Sequence, residues 1–396
     1  MKTKTGADAG SRKQIDDADF DGLTRVVPSL TASCYIDADW YQHELERIFY
    51  SAWIYLCHAS TLVAARSFRR FRIGTQEIVV LRDDQRGLRA FYNSCRHRGS
   101  ILCEREAGRL RGKLIVCPYH QWAYAQDGEL KATSSIREAP DFDKSDYPLH
   151  AVTVQEWRGG IFVSLAEAPA ELTAGFERGS DRIDNWPMES LQVGHRWRKV
   201  MQCNWKIFWE NFNECLHCPN IHPELCELVP IYGRRISGYR DAPDWHAHRD
   251  SSDPKYVGGL RVGAHSWSTS GQACGPVFPG LTPAEVARGQ SYFVSLPSVF
   301  IACHVDYMRT VRILPLGPEQ TEIEVEWLFQ PQTLARDDFD LEDITGFAIL
   351  VMQQDAAASE LNQLGLHARR FKQGVLMPEE HYVKGFQDWV RAQTGD

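Results

Sequence analysis

The sequence predicts an α+β fold: a small all-β domain inserted into a larger domain whose antiparallel sheet is flanked by helices. Three observations carry this. Between about residues 54 and 165 the chain reads as short strands joined by tight turns. Apolar residues recur at helical spacing before that stretch, and again at about 205–216, 341–364 and 379–392. Between the second and third of these helical segments come YFVSL, VFIACHV, MRTVRIL and TEIEVEWLF, strand-like runs of which the last alternates most clearly.

A chain of 396 residues has room for this two-domain division. Residues 1–30 read as a flexible tail, polar throughout its first part and acidic from Asp16 on. Residues 31–53 hold a helix, with Tyr41, Leu45, Ile48, Phe49 and Ala52 on its apolar face and an Asp available as N-cap; it should pack on the larger domain. The β-domain occupies 54–168. FRRFRI and EIVVLRDD are joined by a Gly-Thr-Gln turn, KLIVC, WAYA and ELKAT follow around Asp127-Gly128, and Arg158-Gly159-Gly160 turns VTVQEW into GIFVSL. Residues 169–396 form the larger domain, with a helix from Trp205 to about Leu216 and a loop-rich stretch from Pro230 to Gly263 before its strands.

Composition removes several function classes. A net charge of −8 and a pI near 6.0 argue against a nucleic-acid binder, which would carry a basic stripe. No run of about 18 apolar residues is present to span a membrane, and the N-terminus lacks the apolar core of a secretory signal. Eleven cysteines, odd in number and unevenly spaced, do not resemble a secreted disulfide framework. A reducing cytoplasm is the expected location, and metal ligation becomes the question for the cysteines.

Residues 94–122, SCRHRGSILCEREAGRLRGKLIVCPYHQW, offer Cys95, His97, Cys117 and His120 in loops between strands. Two thiolates and two imidazoles suit zinc or iron–sulfur chemistry. Zinc fingers usually present two cysteines and then two histidines, whereas here the ligands alternate. Two equivalent loops, each giving one thiolate and one imidazole, can pinch a two-iron cluster so that the thiolates hold one iron and the imidazoles the other. Arg96, Arg98 and Gly99, then Cys117-Pro118-Tyr119-His120 and Trp122, make the stretch resemble the Rieske [2Fe–2S] motif. The 19 residues between His97 and Cys117 exceed the usual gap slightly, and Gln121 stands where many members have Gly. A structural zinc site is the alternative.

A cluster alone leaves an electron carrier and an oxygenase both open, so the larger domain must be read for a second metal. In NWKIFWENFNECLHCPNIHP (204–223), Glu214 and His217 are three apart on a predicted helix, and Pro219 lets the chain turn so that His222 returns beside His217. On the long C-terminal helix, Ile344, Ala348, Val351 and Asp355 fall on one stripe, which makes Asp355 a carboxylate on a core-facing surface. Such a group needs a cation or a metal as partner. Glu-x-x-His-x-x-x-x-His, preceded by Asn204-Trp205-Lys206 and Glu210-Asn211, resembles the mononuclear-iron motif of the Rieske non-haem iron oxygenases, and the resemblance covers about residues 35–392.

That resemblance implies one Rieske [2Fe–2S] cluster per subunit on Cys95, His97, Cys117 and His120, and one mononuclear Fe(II) per subunit on His217, His222 and Asp355. It implies catalytic roles for Glu214 and Asp355, with Glu214 linking His120 of the next subunit to His217 in a head-to-tail homotrimer. The partners implied are O2, a small-molecule substrate and a flavin/iron–sulfur or ferredoxin-type reductase. His120-Gln121-Trp122, the ECLHC run and the late Trp-Leu-Phe resemble the branch acting on quaternary ammonium compounds, glycine betaine, proline betaine, carnitine and choline among them. The expected reaction is hydroxylation of a betaine N-methyl group with release of formaldehyde. Oxidation of an aromatic or other apolar ring is the alternative, and a pure electron carrier the second.

A quaternary ammonium group should be held by cation–π contact, for which Trp205, Trp209, Phe212, Trp267, Phe293 and Tyr307 are candidate walls, with Arg or His for a substrate carboxylate. His304 and Asp306 face either the pocket or the sheet surface. Cys215 and Cys218 lie inside the mononuclear motif rather than in a thioredoxin-like setting, and a redox dithiol is not assigned to them.

Overall fold

The computed structural model describes residues 22–176 and 180–395. Their fold is the expected α+β arrangement, and its centre is a five-stranded antiparallel sheet. The strands are β1 (Gln192–Met201), β2 (Gln290–Ser295), β3 (Val299–His304), β4 (Tyr307–Gly317) and β5 (Gln320–Phe329), in the spatial order β1-β5-β4-β3-β2. Strand periodicity divides their side chains between two faces.

One face carries Phe300, Ala302, Tyr307, Val311, Val325 and Trp327 into a core shared with two helices, α1 (Trp205–Phe212) and α4 (Leu341–Leu366). Between them in sequence come two short helices, α2 (Cys218–Ile221) and α3 (Pro223–Leu228). The other face carries Ile301, Cys303, Met308 and Leu328, which pack with Tyr55 and Phe162 of the β-domain. The β-domain also joins the first core through Ile54, Leu56, Phe71 and Ile78, so it packs with both clusters.

The β-domain consists of a four-stranded sheet over Leu88–Tyr92, Gln76–Arg82, Ser67–Ile73 and Ala107–Arg109, with two three-stranded sheets beside it. Its seam with the central sheet is ionic as well as apolar. Arg69, 3% exposed, reaches Glu324 and Glu326 at 3.4 Å each, and Arg312 reaches Glu322 at 2.9 Å and Glu324 at 3.3 Å. Burial raises the Glu324 carboxyl, but Arg312, Arg69 and Arg198 outweigh it and hold the group near 2. Three guanidiniums around that carboxylate keep the seam charge-compensated.

Three sequence expectations are corrected. Residues 1–21 of the expected 1–30 tail lie outside the described residues, but Val27–Thr31 is a strand, paired antiparallel with Gln373–Leu376. Leu30 is buried and its N–H donates to Gln387 Oε1 at 3.0 Å, a long-range partner that tail composition cannot reveal. The segment 31–53 is also more broken than one helix: Ser33–Ile36, then Ala38–Glu44 capped by Asp37, then a π-turn over Leu45–Phe49. Its contact with the larger domain is polar and buried, Lys206 Nζ and Trp205 Nε1 both donating to Glu44 at 2.6 and 2.8 Å.

The third correction concerns α1. The expected helix to about Leu216 ends at Phe212, and Glu214 and His217 sit in the turn that follows. Asn213 caps the early end, and a disulfide joins Cys215 to Cys218 beyond it. Asn213 Nδ2 bonds back to Trp209 O at 2.8 Å, and the Cα atoms of the two cysteines lie 4.9 Å apart in the turn. Pro219 starts α2 rather than breaking α1, a position where its missing N–H costs nothing. Helices α4 and α5 (His381–Thr394) match the expected spans within a few residues. No helix among the described residues is long and apolar enough to cross a membrane.

Candidate metal centres

The four ligand-type residues of the β-domain sit on two loops that repeat one another. The N–H of Cys95 donates to Ser100 O and that of Cys117 to Trp122 O, each at 2.8 Å. The carbonyl of Cys95 accepts from Gly99 N–H at 2.9 Å and that of Cys117 from Gln121 N–H at 3.0 Å. The fourth residue after each cysteine is left-handed, Gly99 at φ 75° and Gln121 at φ 58°. That conformation explains why glycine suits both positions and marks Gln121 as strained by about 1 kcal/mol.

Equivalent loops put like ligands opposite one another. Both thiols are buried and close enough to interact. The imidazoles of His97 and His120 are 4.7 Å apart between ring centres and lie toward the surface. Tyr124 Oη lies 3.2 Å from Cys95 Sγ and accepts from Arg96 N–H at 3.1 Å, while the Trp122 ring stacks on His97 at 4.8 Å. A buried thiol pair and an outward imidazole pair are a donor set suited to a two-iron cluster with one iron on each pair.

The second set is assembled from distant parts of the chain. His217, His222 and Asp355 each offer a ligand atom within 4.8 Å of the others. His222 Nε2 lies 2.7 Å and His217 Nε2 3.4 Å from Asp355 Oδ1, so both ring nitrogens converge on one carboxylate oxygen. The remaining nitrogens are occupied: His222 Nδ1 by Gln354 Oε1 at 2.7 Å, His217 Nδ1 by Glu214 Oε1 at 2.5 Å. Carboxylate and amide oxygens accept only, so each Nδ1 carries a proton, and each Nε2, turned toward the Asp355 carboxylate, is the nitrogen that a cation would take in exchange for a proton. Gln354 is itself held by Glu224 at 3.2 Å. Burial lowers the His217 pKa, but Asp355 and Glu214 raise it more, to about 9, and the same negative field favours a divalent cation. Two imidazoles and a carboxylate form the donor set of non-haem iron sites.

Glu214 also accepts from the N–H of Leu216 and lines a cavity of about 280 Å³ together with Tyr35, Glu210, Asn211 and Gln387. Among the described residues no hydrogen bond joins it to His120 within one chain.

Of the aromatic candidates, Trp205 is a core residue, packed edge-on against Phe49. Phe293 faces the β-domain side of the sheet, among Trp157 and Phe176. Trp267, Tyr307 and Phe212 lie on the helix side: Trp267 meets His304 and Phe347, His304 meets Tyr307, and Phe212 meets Phe300. Asp306 turns away from them, accepting from Ser266 Oγ at 2.5 Å and Cys274 N–H at 2.6 Å. Sequence reasoning gives no role to Gln354 or Arg309. Gln354 is marked in the sequence as the residue before Asp355, in a Gln-Asp step that resembles the family's, although its bond to His222 is not legible there, whereas Arg309 carries no such mark, because its face depends on register.

Comparison with known proteins matches two parts of the chain. Residues 52–143 match the Rieske [2Fe–2S] domain and residues 188–396 the ring hydroxylating alpha subunit (catalytic domain). The chain is 30% identical to the glycine betaine monooxygenase oxygenase subunit of Chromohalobacter salexigens, over 91% of this chain and 84% of that one. It is 26% identical to the chloroplastic choline monooxygenase of Beta vulgaris, over 98% and 82%. Its fold resembles the quaternary ammonium Rieske monooxygenase CntA in complex with L-carnitine (TM-score 0.70, 21% identity, 93% and 96% of the two chains). It resembles naphthalene 1,2-dioxygenase from Rhodococcus sp. equally well (TM-score 0.71, 20% identity, 93% and 95%).

Proposed function

Because the chain belongs to the ring-hydroxylating alpha subunits of Rieske non-haem iron oxygenases, we propose that it is the oxygenase component of an N-demethylating monooxygenase acting on a betaine-type quaternary ammonium compound. The observation that carries the reading is the pairing of two donor sets in one chain: the loops of Cys95, His97, Cys117 and His120, and the convergent Nε2 atoms of His217 and His222 beside Asp355. When bound there, the Rieske cluster relays single electrons from a reductase and the mononuclear Fe(II) activates O2. An electron carrier would have no use for the second set.

The chain's own residues supply binding, orientation and exclusion of water. Gln354 and Glu214 keep both imidazoles in the tautomer that presents Nε2. The outward placement of His97 and His120, and of Glu214 at a cavity wall, suits a contact between subunits. In a homotrimer His120 of one subunit then reaches Glu214 of the next. In the overall change one oxygen atom of O2 enters a C–H bond of the substrate's N-methyl group, and the other leaves as water with the uptake of two electrons and two protons. The resulting N-hydroxymethyl ammonium then loses formaldehyde and a proton and leaves the tertiary amine. A ring oxygenase is the competing reading, since naphthalene 1,2-dioxygenase shares the fold. The quaternary ammonium reading is favoured by the relatives that match most of the chain.

Purified enzyme with a generic ferredoxin reductase and NADH should release formaldehyde from at least one compound among glycine betaine, proline betaine, L-carnitine, γ-butyrobetaine and choline. Ring hydroxylation of naphthalene or indole, with no formaldehyde from the panel, would replace this reading with the ring oxygenase. Cytoplasmic location belongs to the same proposal and is checked by fractionating cells that express the chain.

A further inference from the structure

On the helix side of the sheet lies a buried cluster of polar side-chain atoms without hydrogen-bond partners. Arg309 is 5% exposed and His304 0%. Among the described residues, Nε and Nη1 of Arg309, both ring nitrogens of His304 and Nε1 of Trp267 are buried and have no hydrogen-bond partner. The three side chains are neighbours: the Arg309 guanidinium stands 5.7 Å from the Trp267 ring, and that ring is 5.5 Å from His304.

Strand register explains the grouping. Ala302 lies opposite both Tyr292 and Arg309, while His304 lies opposite Gln290 and Tyr307 opposite Phe329. All of these therefore point to the face packed against α1 and α4. The cross-strand neighbours of Arg309 are Ala302 and Trp327, neither of which carries charge. The nearest acid in sequence, Asp306, is committed to Ser266 and Cys274. No carboxylate among the described residues lies within ion-pair distance of Arg309. Burial and the adjacent guanidinium push the His304 imidazole well below its usual range, so it is neutral and donates one N–H.

A buried guanidinium without a counter-charge is costly, and an indole and a guanidinium can only donate. What balances such a cluster is an anionic group that only accepts. We infer that Arg309, with His304 and the Trp267 indole N–H, forms the anion subsite that takes the carboxylate of the substrate. This rests on the N-demethylase reading and sharpens it. The substrate carries a carboxylate as well as a quaternary ammonium group, so choline, which ends in a hydroxyl, is excluded as the preferred substrate. Phe347, against Trp267, belongs to α4 eight residues before Asp355. The helix that carries the candidate iron ligand thus also contacts the wall of the anion subsite.

The test uses the anaerobic holoenzyme, calorimetric titration, and formaldehyde release under turnover. The probes are glycine betaine, γ-butyrobetaine, choline, and tert-butylacetate, which keeps the carboxylate of glycine betaine but replaces the ammonium by carbon. Wild type should bind the carboxylated probes and bind choline at least about 10-fold more weakly. Arg309→Gln should weaken the carboxylated probes, tert-butylacetate included, by about 10- to 100-fold, and Arg309→Lys should restore part of that loss. Rieske absorption and far-ultraviolet circular dichroism unchanged in both variants would certify their folding. Equal affinity of Arg309→Gln and wild type for every carboxylated probe overturns the subsite, as does wild-type choline affinity matching that of the betaines. If neither wild type nor variant binds any carboxylate, it is overturned too. Arg309-dependent binding of tert-butylacetate, with no formaldehyde from any quaternary ammonium compound, would instead keep the subsite and overturn the demethylase reading.

Discussion

The two candidate metal centres are built on opposite principles. The four β-domain ligands lie within 26 residues and are aimed by backbone hydrogen bonds that repeat from loop to loop. The three of the larger domain span 139 positions, from 217 to 355, and are aimed by side chains, Glu214 and Gln354. A backbone cage is rigid and nearly indifferent to its neighbours. A side-chain cage depends on every element that carries a member, and can be tuned or spoiled from outside the ligand set.

The comparison breaks most severely when a ligand is removed. Asp355→Ala should abolish turnover and lower iron from about three to about two per chain, leaving the Rieske absorption intact. Colorimetric iron and visible spectra check this. Loss of the Rieske band together with the mononuclear iron would show the two cages to be interdependent.

Gln354→Leu tests the side-chain half of the contrast. The variant leaves all three ligands in place and removes the acceptor that fixes His222 Nδ1, together with the hydrogen bond from Gln354 Nε2 to Glu224. Iron affinity or turnover should fall about 10- to 100-fold, read by competition with a chelator. The cysteines depend less on any one side chain, because their N–H and C=O groups bond within their own loops.

The same contrast decides how much was legible in the sequence. Local cages leave local signatures, so the order of Cys95, His97, Cys117 and His120 was readable together with the strands around it. Asp355 was readable as a stripe residue, because α4 is long enough for helical periodicity to mean something. The turn at Asn213–His217 was not, since a helix pattern continues through it while the Asn213 side chain closes the helix. Arg309 and Arg312 illustrate the limit. They are three apart on β4 and so face opposite ways: Arg312 meets Glu322 and Glu324, while Arg309 meets no acid among the described residues. Only the register tells which is which.

A smaller effect is expected beside the side-chain cage. Glu210 lines the same cavity as Glu214 and accepts from Tyr35 Oη at 2.6 Å and Gln387 Nε2 at 2.8 Å. Burial nevertheless raises its pKa from 4.5 to about 7. The raised value means that the folded state holds the proton more tightly. The protonated form stabilises the fold fully below pH 4.5, and that contribution is lost as pH rises through 7. Glu210→Gln should therefore raise the melting temperature at pH 8 and change it little at pH 5, with a ceiling of about 3 kcal/mol. A variant equally altered at both pH values would mean that the carboxyl does not titrate in this range.

The smallest effect belongs to the backbone cage and tests its indifference. Gln121 occupies the left-handed position that Gly99 fills in the sister loop. Gln121→Gly relieves about 1 kcal/mol of strain but gives the unfolded chain more freedom, worth about 0.5–1 kcal/mol in the opposite direction. The net change in melting temperature should be within a few degrees, and the Rieske spectrum should not move, because the N–H of residue 121 still donates to the Cys117 carbonyl. A shifted cluster spectrum would mean that the side chain of residue 121, and not only its backbone, shapes the cage, and the two loops would then be equivalent in hydrogen bonding alone.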